Sequence, residues 1–209
     1  MQKSQLKFND PAPDLELLRS NGETISLSSL WKEKTILLAF IRHFGCPQCK
    51  EELDLLVNSI TDLEKAGLAL VVVTQGQPDE TRTFCARYSA DMECLCDPDR
   101  KAFKAFGLPR GNLFQTLLSP RVWAANAQAA RKGYRPELPP QGQDAMQMAG
   151  IFIIGRDGRI RLPYYYDDIA DHPPIELLLK GFMSMRWDKP FEAPLVPNHN
   201  LPRSTDDMV

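Results

Sequence analysis

The sequence predicts a single α/β domain, a central mixed β-sheet flanked by helices and opened by an N-terminal β-hairpin, and three observations carry this. Residues 35–41 are a continuous apolar run of the kind found in a strand covered on both faces. Cys49, Leu53, Leu56, Val57, Ile60 and Leu63 then recur at steps of three and four, an amphipathic helix of about five turns that Gly67 stops. Residues 68–74 are again apolar and β-branched, so strand, helix and strand follow in the order of a parallel unit.

The remaining elements fall in place around that unit. Residues 15–18 and 24–27 read as two short strands joined by an Asn21-Gly22 turn, and residues 28–31 as a helical turn. Pro78 followed by Asp79 and Glu80 marks a helix start, with Phe84, Cys85 and Tyr88 on its core side. A short strand around Cys94 and Cys96 leads to Asp97-Pro98-Asp99, a second helix start, and Gly107 closes that helix after Phe103 and Phe106. The strand–helix rhythm lapses over residues 111–147, read as an insertion with a short helix at 120–131 and a loop at 133–142. It returns with residues 150–154 and 159–166, a hairpin turning at Asp157-Gly158, and a last helix over 175–183. The domain thus spans residues 1–183. Residues 184–209, rich in Pro, Asn and charge, are expected to be an extended or disordered tail.

A chain of 209 residues fits one domain with an insertion and a tail better than two domains. With 43% hydrophobic and 25% charged residues it can bury a full core. Lys and Arg number 25 against 27 Asp and Glu, a formal net charge of −2, which leaves no sequence-wide basic footprint for nucleic acid. The first ten residues hold no apolar stretch suited to a signal-peptide core, and the run 36–41 is far short of the ~20 residues a membrane-spanning helix needs. The expectation is a soluble, cytoplasmic protein with neither nucleic acid nor membrane as partner. Its 5 cysteines are an odd number in a chain too large to need disulfide staples, which points to catalytic, redox-sensing or metal-binding cysteines.

Cys46 and Cys49 are the leading candidates. A thiolate, not a thiol, attacks a disulfide or a peroxide, so a working cysteine sits where negative charge is favoured. A strand ending ahead of Cys46 and a helix beginning at Pro47 place Cys46 at the N-cap, facing unpaired N–H groups and the positive end of the helix dipole. Arg42 and His43 are candidate thiolate-supporting residues, and Lys50 adds further basic character. Cys49, one helical turn on and on the apolar face with Leu53 and Leu56, suits a protected resolving thiol. A Cys-x-x-Cys motif between a buried strand and an amphipathic helix reads as a thioredoxin-like redox motif. Two other readings stand beside it: inert packing cysteines, or a zinc site built from Cys46, Cys49, Cys94 and Cys96. Cys85, Cys94 and Cys96 are themselves read as packing residues. Tyr164, Tyr165 and Tyr166 are read as strand packing or an interface, since the acidic Asp167 and Asp168 oppose a base-stacking role.

Residues 9–14, the segment Phe40-Ile41-Arg42-His43-Phe44-Gly45-Cys46-Pro47-Gln48-Cys49, residues 97–107 and residues 150–158 together resemble the AhpC/TSA peroxiredoxin-like branch of the thioredoxin superfamily. The likeness covers most of residues 8–183, and is most specific at residues 42–49 and 147–154. It implies a thioredoxin-like fold with Cys46 as nucleophile. The expected activity is that of an antioxidant thiol oxidoreductase, cycling Cys46 and Cys49 between dithiol and disulfide against a small-molecule peroxide or a protein disulfide. A thiol would be the electron donor, with no organic cofactor and no metal, and a homodimer is left open. Peroxiredoxins carry a Pro and a Thr or Ser ahead of the first cysteine where this chain has Phe40 and His43. Peroxide reduction is therefore expected to be slow beside thiol–disulfide exchange. The contrasting class is a thioredoxin-fold binding or scaffold protein with inert cysteines.

Overall fold

The structure, a computed structural model, describes residues 4–89, 92–181 and 187. In chain order it contains β1 (Glu16–Arg19), β2 (Thr24–Ser26), α1 (Leu27–Glu33), β3 (Thr35–Phe40), α2 (Pro47–Asn58), α3 (Ile60–Lys65), β4 (Leu68–Thr74), α4 (Pro78–Cys85) and β5 (Glu93–Cys96). After these come α5 (Lys101–Ala105), a π-helical turn (Phe114–Leu118), α6 (Pro120–Arg131), β6 (Gly150–Ile154), β7 (Ile160–Tyr165) and α7 (Ile175–Lys180). The seven strands form one mixed sheet in the order β2-β1-β5-β4-β3-β6-β7. Strand β4 runs parallel to both β3 and β5, whereas β6, β7 and the β1–β2 hairpin are added antiparallel. No helix among the described residues is long and apolar enough to cross a membrane.

Strand alternation explains why β3 is apolar at every position. Leu37 and Ala39 point into one core with Leu53, Leu56 and Leu63, while Ile36, Leu38 and Phe40 point into the opposite core with Trp31, Phe103 and Phe106. On that second face Phe40 meets Phe103, Phe106 and Phe152 with ring centroids 5.0, 5.1 and 5.7 Å apart. Such rings bury large areas in defined edge-to-face geometry. The strand is thereby pinned from both sides, and the residues that follow it emerge at a fixed point.

Helix starts follow the local chemistry. Gln77 and Glu80 form a capping box at α4, with Pro78 in the first turn. Asp97 accepts the N–H groups of Lys101, Ala102 and Phe103 at 2.8, 2.7 and 3.2 Å, satisfying the free donors at the start of α5. Three expectations are corrected. The helix expected to run unbroken from Pro47 towards Gly67 is two helices, because Ser59 leaves helical geometry and its carbonyl caps Asp62 and Leu63 instead. Helix α7 stops at Lys180, where Gly181 adopts φ +68, while residues 182–183 lie outside the described residues. Cys85 and Cys94 are not separate packing thiols but a disulfide joining the end of α4 to β5. Of the residues expected as a tail, only Trp187 is described; it is buried, and its Nε1 donates to the Leu178 carbonyl at 2.7 Å.

Residues 111–149 separate α5 from β6, and their last part is stitched back onto the segment between β3 and α2. The Glu137 N–H donates to the Gly45 carbonyl at 3.0 Å, the Phe44 N–H to Gln143 Oε1 at 3.0 Å, and Lys50 pairs with Glu137 at 2.8 Å. Gly45 is required here by space: a Cβ would run into the Glu137 carbonyl and reach within 2.8 Å of the Leu138 carbonyl. Both obstacles are backbone, so neither moves cheaply. A Gly45→Ala substitution should therefore lift residues 133–142 off residues 42–50, and limited proteolysis should cut this loop several-fold faster than in the wild type. Unchanged cleavage would show that the side-chain tethers alone hold the loop.

Candidate active site

Strand β3 ends at Phe40 and delivers Arg42 and His43 into the space ahead of α2. Cys46 is the N-cap of α2 and Pro47 stands in its first turn. The Cys46 N–H donates to the His43 carbonyl at 3.0 Å, and its own carbonyl accepts the Lys50 N–H at 3.1 Å. The sulfur therefore sits where the sequence places it, at the positive end of the helix. Both thiols are enclosed, with Cys46 only 1% and Cys49 only 2% exposed.

Arg42 binds the two sulfurs together. Its backbone N–H donates to Cys49 Sγ at 3.4 Å and its guanidinium to Cys46 Sγ at 3.4 Å. The side chain is itself buried and held by the Gln147 carbonyl at 3.0 Å and by the Ala145 carbonyl, so its charge has a fixed position. Gln75 Nε2 donates to the Arg42 carbonyl and fixes the backbone as well. A hydrogen bond from the Cys49 thiol, acting against burial and reinforced by the Arg42 charge, holds Cys46 down at about 6. Cys49 moves the other way, since it gives that hydrogen bond and lies buried beside a negative sulfur. The two shifts run in opposite directions, favouring the thiolate on Cys46 and the thiol on Cys49.

His43 is neutral at pH 7. Burial and the neighbouring Arg42 and Lys50 charges push it down to about 4, with Asp144 opposing, and its Nδ1 is buried with no hydrogen-bond partner. It gives Cys46 a carbonyl rather than a charge. Cys96 is buried and free, whereas Cys94 is taken up in the disulfide, so the four-thiolate zinc set is not assembled. Among the described residues no group of three or more His, Cys, Asp or Glu side chains is placed to hold a metal ion.

A cavity of about 240 Å³ opens on Cys46, lined by Arg42, Gln48, Thr116, Leu138, Met146 and Ile169 among others. Half of these come from the insertion, whose contribution the sequence leaves unread. Behind the pair, Glu52 is buried on α2, accepts a hydrogen bond from the Tyr166 hydroxyl and lies 3.2 Å from His172 Nδ1. An acidic residue on the apolar face of a helix, three positions after Cys49, was the one available signal for this group. His172 and Tyr166 reach it only through the fold.

Comparison with known proteins identifies relatives in sequence and in fold. The chain is 26% identical over 180 residues to "Thioredoxin-like protein AAED1, chloroplastic" of Arabidopsis thaliana, covering 82% of this chain and 71% of that one. To "Peroxiredoxin-like 2C" of Bos taurus it is 28% identical over 174 residues, covering 80% and 76%. The crystal structure of a peroxiredoxin-like protein from Aquifex aeolicus superposes with a TM-score of 0.61 at 14% identity, covering 85% of this chain and 86% of that one. That likeness is one of fold, and the fold is thioredoxin-like. The AhpC/TSA family model matches residues 8–162, well over half of the chain and the whole span from the N-terminal hairpin through the cysteine pair to β7, so this protein is a member of the AhpC/TSA family.

Proposed function

We propose that this protein is a thiol-dependent oxidoreductase in which Cys46 attacks a small oxidant and Cys49 resolves the product. One observation carries the reading: two buried cysteines are held together by one fixed arginine, whose guanidinium favours the thiolate on Cys46, and Cys46 lines a cavity. The Cys46 thiolate displaces a thiolate from a disulfide, or an alkoxide or hydroxide from a hydroperoxide, leaving a mixed disulfide or a sulfenic acid on Cys46. Cys49 then loses its proton and attacks Cys46 Sγ, the internal disulfide forms, and the second thiolate or water departs. Two electrons from an external thiol restore the pair. Enclosure of Cys46 favours an oxidant that fits about 240 Å³, a hydroperoxide or a low-molecular-weight disulfide, over a folded protein disulfide. Arg42 reaches Cys46 Sγ at 3.4 Å and lines the cavity in which the oxidant would meet it.

The pH dependence follows directly. Cys46 attacks only when ionised, so below about 6 its alkylation by iodoacetamide should fall roughly tenfold per pH unit, and above it the rate should level off. An Arg42→Met substitution removes the guanidinium, and the midpoint should rise by about 1–3 units. A wild-type midpoint near the ~8.5 of an ordinary cysteine would instead favour inert cysteines.

The two roles separate on a non-reducing gel. Cys49→Ser leaves attack intact but removes resolution, so mixed disulfides on Cys46 should accumulate after exposure to a small disulfide. Cys46→Ser should trap none. Equal trapping by both variants would reverse the assignment.

A further inference from the structure

The buried group behind the cysteine pair has no part in the scheme above, and a bland structural role explains it poorly. Glu52 is 5% exposed on the apolar face of α2, between Cys49 and Leu56 and next to the wholly buried Leu53. A carboxylate there costs several kcal/mol in desolvation unless it is fully partnered, and an apolar residue of similar size is often neutral or better. Its partners come from outside the helix: the Tyr166 hydroxyl directly after β7, and His172 Nδ1 at 3.2 Å. Cys49, Glu52 and Tyr166 share one face, since Cys49 and Glu52 are one helical turn apart and Tyr166 packs in the same apolar cluster as Cys49.

Resolution creates a need that this placement meets. In the resting pair Cys46 accepts the Cys49 proton, but once Cys46 carries an adduct it no longer can. Cys49 must then ionise inside an apolar cluster, and water is excluded there. We infer that Glu52, held by Tyr166 and His172, is the proton acceptor for Cys49 in the resolving step. The Cys49 S–H bond breaks and its proton passes to the Glu52–Tyr166 pair. The thiolate forms the S–S bond with Cys46, and the bond from Cys46 to the leaving thiolate breaks. When an external thiol reopens the disulfide, the proton returns to Cys49. The electrostatics agree: burial, the Glu52 charge and hydrogen bond, and the Cys49 charge all push Tyr166 up, so the hydroxyl keeps its proton to share. Burial pulls His172 down, but the Glu52 carboxylate, with Cys46 and Glu51 adding to it, outweighs this and keeps the ring protonated more readily than usual. The other charged or titratable groups facing the cluster are Arg42 beyond β3 and Tyr164 on β7.

The inference rests on the reading that Cys46 attacks and Cys49 resolves, and one assay tests the two apart. Mixing the reduced protein with an aromatic disulfide whose thiolate is coloured gives one release for attack by Cys46 and a second for closure by Cys49. In Glu52→Gln, which keeps the shape and the Tyr166 contact, the first release should stay within about twofold while the second slows about tenfold to a hundredfold or more, the scale of lost general-base catalysis. In His172→Asn the imidazole beside the carboxylate is gone, so the pH at which the second release reaches half its plateau should move up, whereas a purely structural tether would leave that midpoint in place. A second release unaffected by Glu52→Gln, or both releases slowed in parallel, would overturn the inference and leave Glu52 a tether. If Glu52→Gln does not fold, an unmoved midpoint in His172→Asn overturns it alone. Absence of the first release in the wild type would instead sink the assignment of Cys46 as nucleophile.

Discussion

Negative charge on a sulfur that is almost wholly out of water has to be compensated by groups already in place, because solvent cannot turn in to do it. Around Cys46 the compensation comes from three structural levels at once. The start of α2 offers its unpaired N–H groups, Cys49 offers a thiol from the next turn, and Arg42 offers a full charge from the end of β3. Each depends on the one below it. The guanidinium can be fixed only because β3 is anchored on both faces, and the helix can start at Pro47 only because the chain leaving β3 turns sharply through Gly45.

The insertion belongs to the same arrangement. It supplies the carbonyls of Ala145 and Gln147 that hold Arg42, and it brings residues 136–139 to the cavity on Cys46 through the contact between Gly45 and Glu137. Dry walls strengthen every interaction that Arg42 makes, since charge is screened far less inside a protein than in water. They also limit what reaches Cys46. The segment that looks in sequence like an interruption of the fold is what turns an exposed strand–helix junction into a chamber.

Much of this was legible from periodicity. The apolar run 35–41 and the hairpin signals at Asn21-Gly22 and Asp157-Gly158 each report a local constraint that the structure keeps, and the three-and-four spacing after Cys49 marks helix, though not its break. The cysteine pair was legible because its chemistry depends on one junction in the chain. What escaped was whatever depends on distant segments meeting. The bond between Cys85 and Cys94 needs α4 and β5 to be adjacent, and no spacing rule encodes that. His43 drew attention by being close to Cys46 in sequence, yet burial beside Arg42 leaves it uncharged. His172, 126 positions away by numbering from Cys46, is the histidine whose environment favours the charged form. The break at Ser59 was hidden for another reason: the apolar stripe continues across it through Leu63, so periodicity alone sees one helix where the backbone makes two.

Two cysteine pairs therefore share one apolar cluster while sitting in different electrostatic surroundings. Stabilising a thiolate stabilises the reduced form of its pair, which makes the corresponding disulfide easier to reduce. Arg42 does this for Cys46, so on the function proposed above an internal Cys46–Cys49 disulfide is readily reopened by a donor thiol. Cys85 and Cys94, between α4 and β5, do not line the cavity that opens on Cys46. Desolvation of Cys46 and Cys49 is what requires that pair to carry its own charge partner and, on the reading above, its own proton acceptor. On the function proposed above, Cys85–Cys94 is a staple joining α4 to β5, and the pair beside the guanidinium is the working couple.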